Sequence, residues 1–167
     1  MEPIASGILV SKLLQHELLV KSVNSVAQGI LSTINHIISN EELEINKCFK
    51  DIDLFADLDV ITSFVNELTE IHIVKHSKTV QHCVHNINEI LKEISDNLEK
   101  IKKEINDHKA KYLSSLRTCD FSHHEQEIIE KKKLLDKRFD RLLSITGVIK
   151  NLSKNQINSH QKDHSFH

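Results

Sequence analysis

Apolar side chains recur in a regular heptad pattern along the first 38 residues. The spacings alternate between four and three, which places these side chains on one face of a helix for about four heptads. The stripe consists of Leu9, Leu13, His16, Val20, Val23, Ala27, Ile30, Ile34 and Ile37. Pro3 stands just before it, and proline is favoured in the first turn of a helix. The pattern therefore predicts an amphipathic helix over residues 4–38.

The second segment has a less regular pattern, in which apolar residues are mostly three apart. Such a stripe drifts around a helix instead of forming one seam. Its members are Ile45, Phe49, Ile52, Phe55, Leu58, Ile61, Phe64, Leu68 and Ile71. We predict a helix over residues 41–75, with a kink or short loop in the acidic stretch 51–59. Ser39 and Glu42 match a capping box before it, and Asp59 or Ser63 would cap a restart after the kink.

The third segment returns to strict spacings of four and three. Its apolar stripe consists of Val80, Val84, Ile87, Leu91, Ile94, Leu98, Ile101, Ile105, His108 and Tyr112. This pattern predicts an amphipathic helix over residues 79–116. No glycine or proline lies between Asn40 and Gly147, so the break from the second helix is placed around residues 75–78 on helix propensity alone.

A fourth helix is predicted over residues 123–152. The stretch from Ser122 to Glu125 matches a second capping box, and an apolar set follows it. This set consists of Ile128, Leu135, Phe139, Leu142, Ile145, Ile149 and Leu152. Residues 153–167 have almost no apolar content, and we expect them to form a disordered tail after a single helical domain of residues 1–152.

The composition supports an all-α fold. One proline and three glycines in 167 residues exclude sandwiches, barrels and glycine-loop nucleotide binders, which need frequent turns. Short connections make successive helices antiparallel. We predict an elongated antiparallel four-helix bundle, or coiled-coil-like helical hairpins whose seams are completed by other chains.

Charge is distributed unevenly along the chain. Residues 1–99 carry 7 Lys and Arg against 15 Asp and Glu, and residues 100–167 carry 15 against 9. A basic patch on the fourth predicted helix comprises Lys131, Lys132, Lys133, Lys137, Arg138 and Arg141. Acidic residues three and four positions away neutralise this patch by forming side-chain ion pairs within the same helix. We interpret the patch as a solvated helix face rather than a nucleic-acid site; a surface for anionic lipid is the alternative.

Histidine is unusually frequent, with 12 residues. In one continuous helix His72, His76 and Cys83 would share a face, and imidazole and thiolate are zinc ligands. These three residues are a candidate metal site only if no break falls near Ser77. Cys119, His123 and His124 form a second candidate cluster. Alternatively, the side chains of both clusters bind no metal and are either solvated or at the edge of the core.

No catalytic constellation is visible in the sequence. The chain lacks Glu-x-x-His pairs on facing helices and the Gly-x-Ser-x-Gly turn that presents a nucleophilic serine. We therefore predict a non-enzymatic protein without a cofactor. Three widely spaced cysteines without a Cys-x-x-Cys pair, and no signal-peptide or transmembrane pattern, favour a reducing cytoplasmic location.

The leading functional hypothesis is an assembly or scaffold subunit that presents heptad seams to a protein partner or to its own copies. The interaction seam would comprise Leu9, Leu13, Val20, Val23, Ile30, Ile34, Val84, Ile87, Leu91, Ile94, Leu98, Ile101 and Ile105. One alternative is a membrane-active bundle that acts through the amphipathic first helix on a membrane surface. Another is a pH- or metal-responsive sensor built on the histidines.

Overall fold

The computed structural model describes the backbone of residues 4–39, 45–110 and 120–163, and the side chains of residues 15–39, 45–74, 76–110 and 120–155. Over these residues the fold is all-α, with six helices and no strand. The helices are α1 (Ile4–Ile38), α2 (Ile45–Asp51), α3 (Leu54–Glu70), α4 (His72–Lys75), α5 (Lys78–Lys109) and α6 (Ser122–Asp163). The predicted fold class is confirmed, and α1 has the bounds that the heptad pattern predicts.

The second predicted helix is divided into α2, α3 and α4. The first break comes inside the acidic stretch, where Asp53 has left-handed backbone angles of φ 47° and ψ 37° and stands just before α3. The predicted caps Asp59 and Ser63 lie within α3 instead. The second break follows at Ile71, whose extended backbone separates α3 from α4.

The break before α5 lies where the sequence places it. Ser77 has an extended backbone, and its hydroxyl oxygen accepts the Val80 N–H at 3.3 Å. This is an N-cap bond, which satisfies one of the free amides in the first turn. The predicted end of this helix at 116 lies outside the described residues.

The last helix differs from its prediction at both ends. The carboxylate of Asp120 accepts from the Ser122 hydroxyl at 2.5 Å and from the Ser122 N–H, the first amide of the helix, at 3.0 Å. These bonds from Ser122 hold the pKa of Asp120 below its usual range. At the other end α6 continues to Asp163, so the disordered tail predicted from Ser153 is corrected over residues 153–163.

Contacts between helices show their directions. The Ser22 hydroxyl of α1 donates to Asn88 of α5 at 3.1 Å, and the Thr33 hydroxyl donates to Glu99 at 2.7 Å. Both pairs are 66 residues apart, and a constant separation means that α1 and α5 run parallel. Their shared interface holds the centre of the hydrophobic core.

The other long helices pack around this pair. α6 runs antiparallel along α5, since Lys131 pairs with Glu93 while the later Arg138 bonds to the earlier Asn86. α3 packs against α1 and reaches α6 through the edge-to-face rings of Phe64 and Phe139, whose centroids are 5.7 Å apart. Over the described residues, no helix is both long enough and apolar enough to span a bilayer.

Candidate functional site

The predicted interaction seam lies inside the chain. Its described side chains are at most 5% exposed and belong to one core cluster. They are Val20, Val23, Ile30, Ile34, Val84, Ile87, Leu91, Ile94, Leu98, Ile101 and Ile105. The side chains of Leu9 and Leu13 lie outside the described residues. The seam interpretation is therefore corrected: the two heptad faces cover each other, because α1 and α5 are parallel neighbours.

The first candidate metal site is divided by the break at Ser77. The rings of His72 and His76 are close, with centroids 4.5 Å apart, but Cys83 lies on a different helix and is 5% exposed. The common helix face on which the prediction depended does not exist over residues 72–83.

The second candidate cluster takes a different form. Cys119 lies outside the described residues, but Glu127 joins the two histidines. One ligand atom each of His123, His124 and Glu127 lies within 4.8 Å of the others, and this is the group of potential metal-ligand side chains that the described residues bring together. Glu127 stands four residues after His123, so the i,i+4 spacing in the sequence was a signal for it.

His124 also contacts α5 through both ring nitrogens. Nδ1 lies 2.8 Å from Oδ1 of Asn97, and Nε2 lies 3.0 Å from Oε1 of Glu104. Asn97 is buried at 2% exposure, whereas the Glu104 side chain is about half exposed, at 52%. These contacts join the first turn of α6 to α5. The sequence carried no local signal for either partner.

Two of the six cations in the basic patch help to hold α6 in place. Lys131 pairs with Glu93 of α5, and Lys132 pairs with Asp57 of α3 and with Asp136 on its own helix. Burial alone would lower the pKa of Lys132, but the hydrogen bonds that Lys132 donates to the carboxylates of Asp136 and Asp57 raise it above its usual range. These two lysines therefore have a structural role. Only the pair of Lys132 with Asp136 is an i,i+4 ion pair within the helix, as the sequence predicts.

Two other cations of the patch, Lys137 and Arg141, lie on an exposed part of α6. No hydrogen bond or ion pair joins Lys137 or Arg141 to another described residue, and both side chains are exposed. They line a groove of about 240 Å³ between α5 and α6, together with Cys83, Asn86, Leu134 and Arg138. The groove is positively charged over the described residues that line it.

Apolar residues continue the same face of α6 beyond the cations. Val148 is 58% exposed and Leu152 is 59% exposed. Spacings of four and seven residues place them in line with Lys137 and Arg141. Ile145 and Ile149 flank them and are partly buried against the core. We call the surface of Lys137, Arg141, Ile145, Val148, Ile149 and Leu152 the α6 face.

The described cysteines are not activated nucleophiles. Burial raises the pKa of Cys48 to about 11, and the carboxylates of Glu125 and Asp51 add to this. Burial also raises the pKa of Cys83, against a smaller lowering by Arg141. Both thiols are protonated at neutral pH, and a thiol is a much weaker nucleophile than a thiolate.

A second groove, of about 350 Å³, lies between α1 and α3. Its walls are polar and apolar in about equal measure, and the amide of Asn24 donates across it to Asn66 at 2.8 Å. Its lining includes amides, Asp59 and Thr62.

The chain matches no protein-family model, no curated protein and no solved structure. Its function has to be argued from its own side chains and surfaces.

Proposed function

We propose that this chain is a non-enzymatic interaction subunit that docks an acidic, amphipathic helix of a partner protein along the α6 face. The observation that carries the proposal is the alignment of exposed apolar side chains with cations that have no ion partner among the residues that the structure describes. Val148 and Leu152 are each more than half exposed, and Lys137 and Arg141 precede them on the same face.

The apolar end of the α6 face supplies affinity. Val148 and Leu152 lie four residues apart, which is the spacing with which an amphipathic helix meets a groove or another helix. Burying both side chains against a partner would contribute about 2–4 kcal/mol, since a fully buried Val or Leu contributes about 1.5–3 kcal/mol. Ile145 and Ile149 rest on the core and would form a rigid base beneath the partner.

The basic end defines the chemistry of the partner. Lys137 and Arg141 would meet carboxylates one or two turns from the partner's apolar residues, and complementary charge sets orientation and speeds association. Two copies of this chain in an antiparallel pairing would place these cations opposite the apolar end of the other copy. An acidic partner therefore fits the α6 face better than a second copy does.

The heptad seams are not the docking surface in this proposal, because they form the core. The membrane-active alternative would require α1 to leave its interface with α5, since its seam is covered there. The α6 face needs no such opening.

The experiment is selection of helical peptides from a random display library on the full chain, followed by binding measurements with the selected peptide. We expect acidic peptides with Leu or Ile at i,i+3 or i,i+4 spacing. Combined Val148→Asp and Leu152→Asp substitutions should weaken binding at least tenfold, because a loss of about 1.4 kcal/mol is tenfold in affinity. Lys137→Glu with Arg141→Glu should weaken it and reduce its dependence on salt.

Val60→Asp is the matched control, since Val60 is 54% exposed on α3 and lies outside the α6 face. It should leave the affinity within twofold. Peptides without an acidic bias, or equal binding by the α6-face variants and the wild type, would contradict the proposal. Self-association measured by light scattering, and lost in the Val148 and Leu152 variant, would assign the face to a second copy instead.

A further inference from the structure

The first two turns of α6 bring two imidazoles and a carboxylate together. Ligand atoms of His123, His124 and Glu127 lie within 4.8 Å of one another. Two ligands of a tetrahedral zinc ion lie about 3.3 Å apart, given bond lengths of about 2.0–2.1 Å. Rotation of these side chains is enough to close that difference. His123 is exposed and Glu127 is half-buried, so these two side chains have room to rotate toward His124, which its contacts with α5 hold in place.

Helix geometry holds the three residues on adjoining parts of one surface. Glu127 follows His123 by four residues and His124 by three, and both spacings make neighbours on a helix. The Asp120 carboxylate accepts the Ser122 N–H just before them, so the turn that presents the histidines is itself capped.

Contacts with α5 orient His124 for coordination. Oδ1 of Asn97 can only accept, so Nδ1 donates to it at 2.8 Å, and Nε2, which faces Glu104, is the nitrogen that can bind an ion in place of its own proton. Such a second partner, which fixes the tautomer of a histidine ligand, is a general feature of metal sites. Asn97 is buried, which keeps this hydrogen bond in place.

Glu104 of α5 approaches the cluster beside His124. Its Oε1 lies 3.0 Å from Nε2 of His124, close to the separation of about 3.3 Å between two ligands of a tetrahedral zinc ion. An ion between these two atoms would replace a hydrogen bond by two coordination bonds. The carboxylates of Glu104 and Glu127 would together neutralise a dication.

We propose that His123, His124, Glu127 and Glu104 bind one divalent transition-metal ion of the zinc type. Two nitrogens and two carboxylate oxygens suit zinc and its first-row neighbours, whereas calcium and magnesium prefer oxygen alone. The ion would tie the start of α6 to the end of α5. The site lies apart from the α6 face and does not depend on the proposed docking function.

The test is titration of the full chain with Zn²⁺ by calorimetry and with Co²⁺ by visible absorption. We expect one tightly bound ion per chain, an intense tetrahedral Co²⁺ spectrum, and a melting temperature that rises by several degrees with Zn²⁺ because the ion binds only the folded chain. His123→Ala with Glu127→Gln should weaken binding at least tenfold. Glu104→Gln should do so as well and reduce the tetrahedral Co²⁺ bands.

His72→Ala with His76→Ala is the matched control, because it removes two other neighbouring histidines. It should change the affinity less than threefold. Circular dichroism checks that each variant folds, which the exposure of His123 favours. Equal affinity in the His123 and Glu127 variant, an octahedral Co²⁺ spectrum, or loss of the ion in the His72 and His76 variant would overturn the proposal.

Discussion

Asp53 shows what a single residue does to the path of this chain. Its left-handed backbone, with φ 47°, separates α2 from α3. That conformation costs an L-residue about 1–2 kcal/mol, and Asp and Asn adopt it more readily than other non-glycine residues. The Asp53 side chain makes no capping hydrogen bond to α3. Its backbone conformation, rather than its carboxylate, is therefore what the fold uses.

Glycine and alanine at this position should have opposite effects. We expect Asp53→Gly to raise the free energy of unfolding by up to about 1 kcal/mol, because glycine adopts left-handed angles without steric cost, and Asp53→Ala to lower it by about 1 kcal/mol. Urea unfolding followed by circular dichroism measures both. Asp59, inside α3, is the control position: there the glycine variant should be less stable than the alanine variant by about 1 kcal/mol. If the glycine and alanine variants had the same order of stability at both positions, this interpretation would be contradicted.

Residue spacing in the sequence indicates only part of the candidate metal site. The histidines of the second cluster are visible in the sequence, and Glu127 is within reach of an i,i+4 search. Glu104 and Asn97 are 20 and 27 residues before His124, on another helix. Their proximity depends on how α5 and α6 are aligned, which no local pattern specifies.

At the scale of the element, α5 is the central helix of the fold. It packs along α1 on one side and α6 on the other, so its buried surface is wider than a heptad seam. Cys83, Asn88, Ile90 and Asn97 are buried together with the seam residues. The heptad pattern predicts the helix correctly but underestimates how much of it is covered, since it counts only the two most apolar positions of each repeat.

Truncating the α5 seam should destabilise the single chain. Leu98 is fully buried, and Leu98→Ala should lower the free energy of unfolding by about 2–5 kcal/mol through lost burial and a cavity. Urea unfolding at protein concentrations tenfold apart should give the same loss. Leu143→Ala, at a 40% exposed site on α6, should change stability by less than about 0.5 kcal/mol. A loss that grows on dilution would show that the seam is shared between chains.

At the scale of the whole molecule, the ion pair of Lys132 and Asp57 holds α3 against α6. The Lys132 side chain is only 11% exposed, and it also pairs with Asp136. Hydrogen bonds to the two carboxylates outweigh burial and raise its pKa above the usual 10.5. The stability that Lys132 contributes is therefore complete at pH values below 10.5, its usual pKa. That stability is lost as the pH rises through the higher pKa that Lys132 has in the folded chain.

Removing this lysine should loosen the contact between the two helices. We expect Lys132→Met to lower the free energy of unfolding by about 1–3 kcal/mol at neutral pH, because it leaves carboxylates without their partner. The difference from the wild type should shrink in strongly alkaline solution. A double-mutant cycle with Asp57→Asn should give a coupling of about 1 kcal/mol, since Asp57 is partly exposed to water. Lys133→Met, at an exposed position, serves as the control, and zero coupling would contradict the contact.

The sequence by itself determined the all-α class, the bounds of α1, and the break before α5. Each follows from short-range physics: apolar periodicity, the rarity of glycine and proline, and low helix propensity around residues 75–78. It did not predict that α6 would continue to Asp163, because the polar residues after Ser153 lack the periodicity by which a helix is recognised.

Only the tertiary structure decided which surfaces meet. The parallel alignment of α1 with α5 turned the predicted interface seams into the core, and the packing of α6 left Val148 and Leu152 exposed. The same packing placed Glu104 beside His124. A helix pattern specifies which face is apolar but not which neighbour will cover it, because side-chain complementarity between distant segments makes that choice.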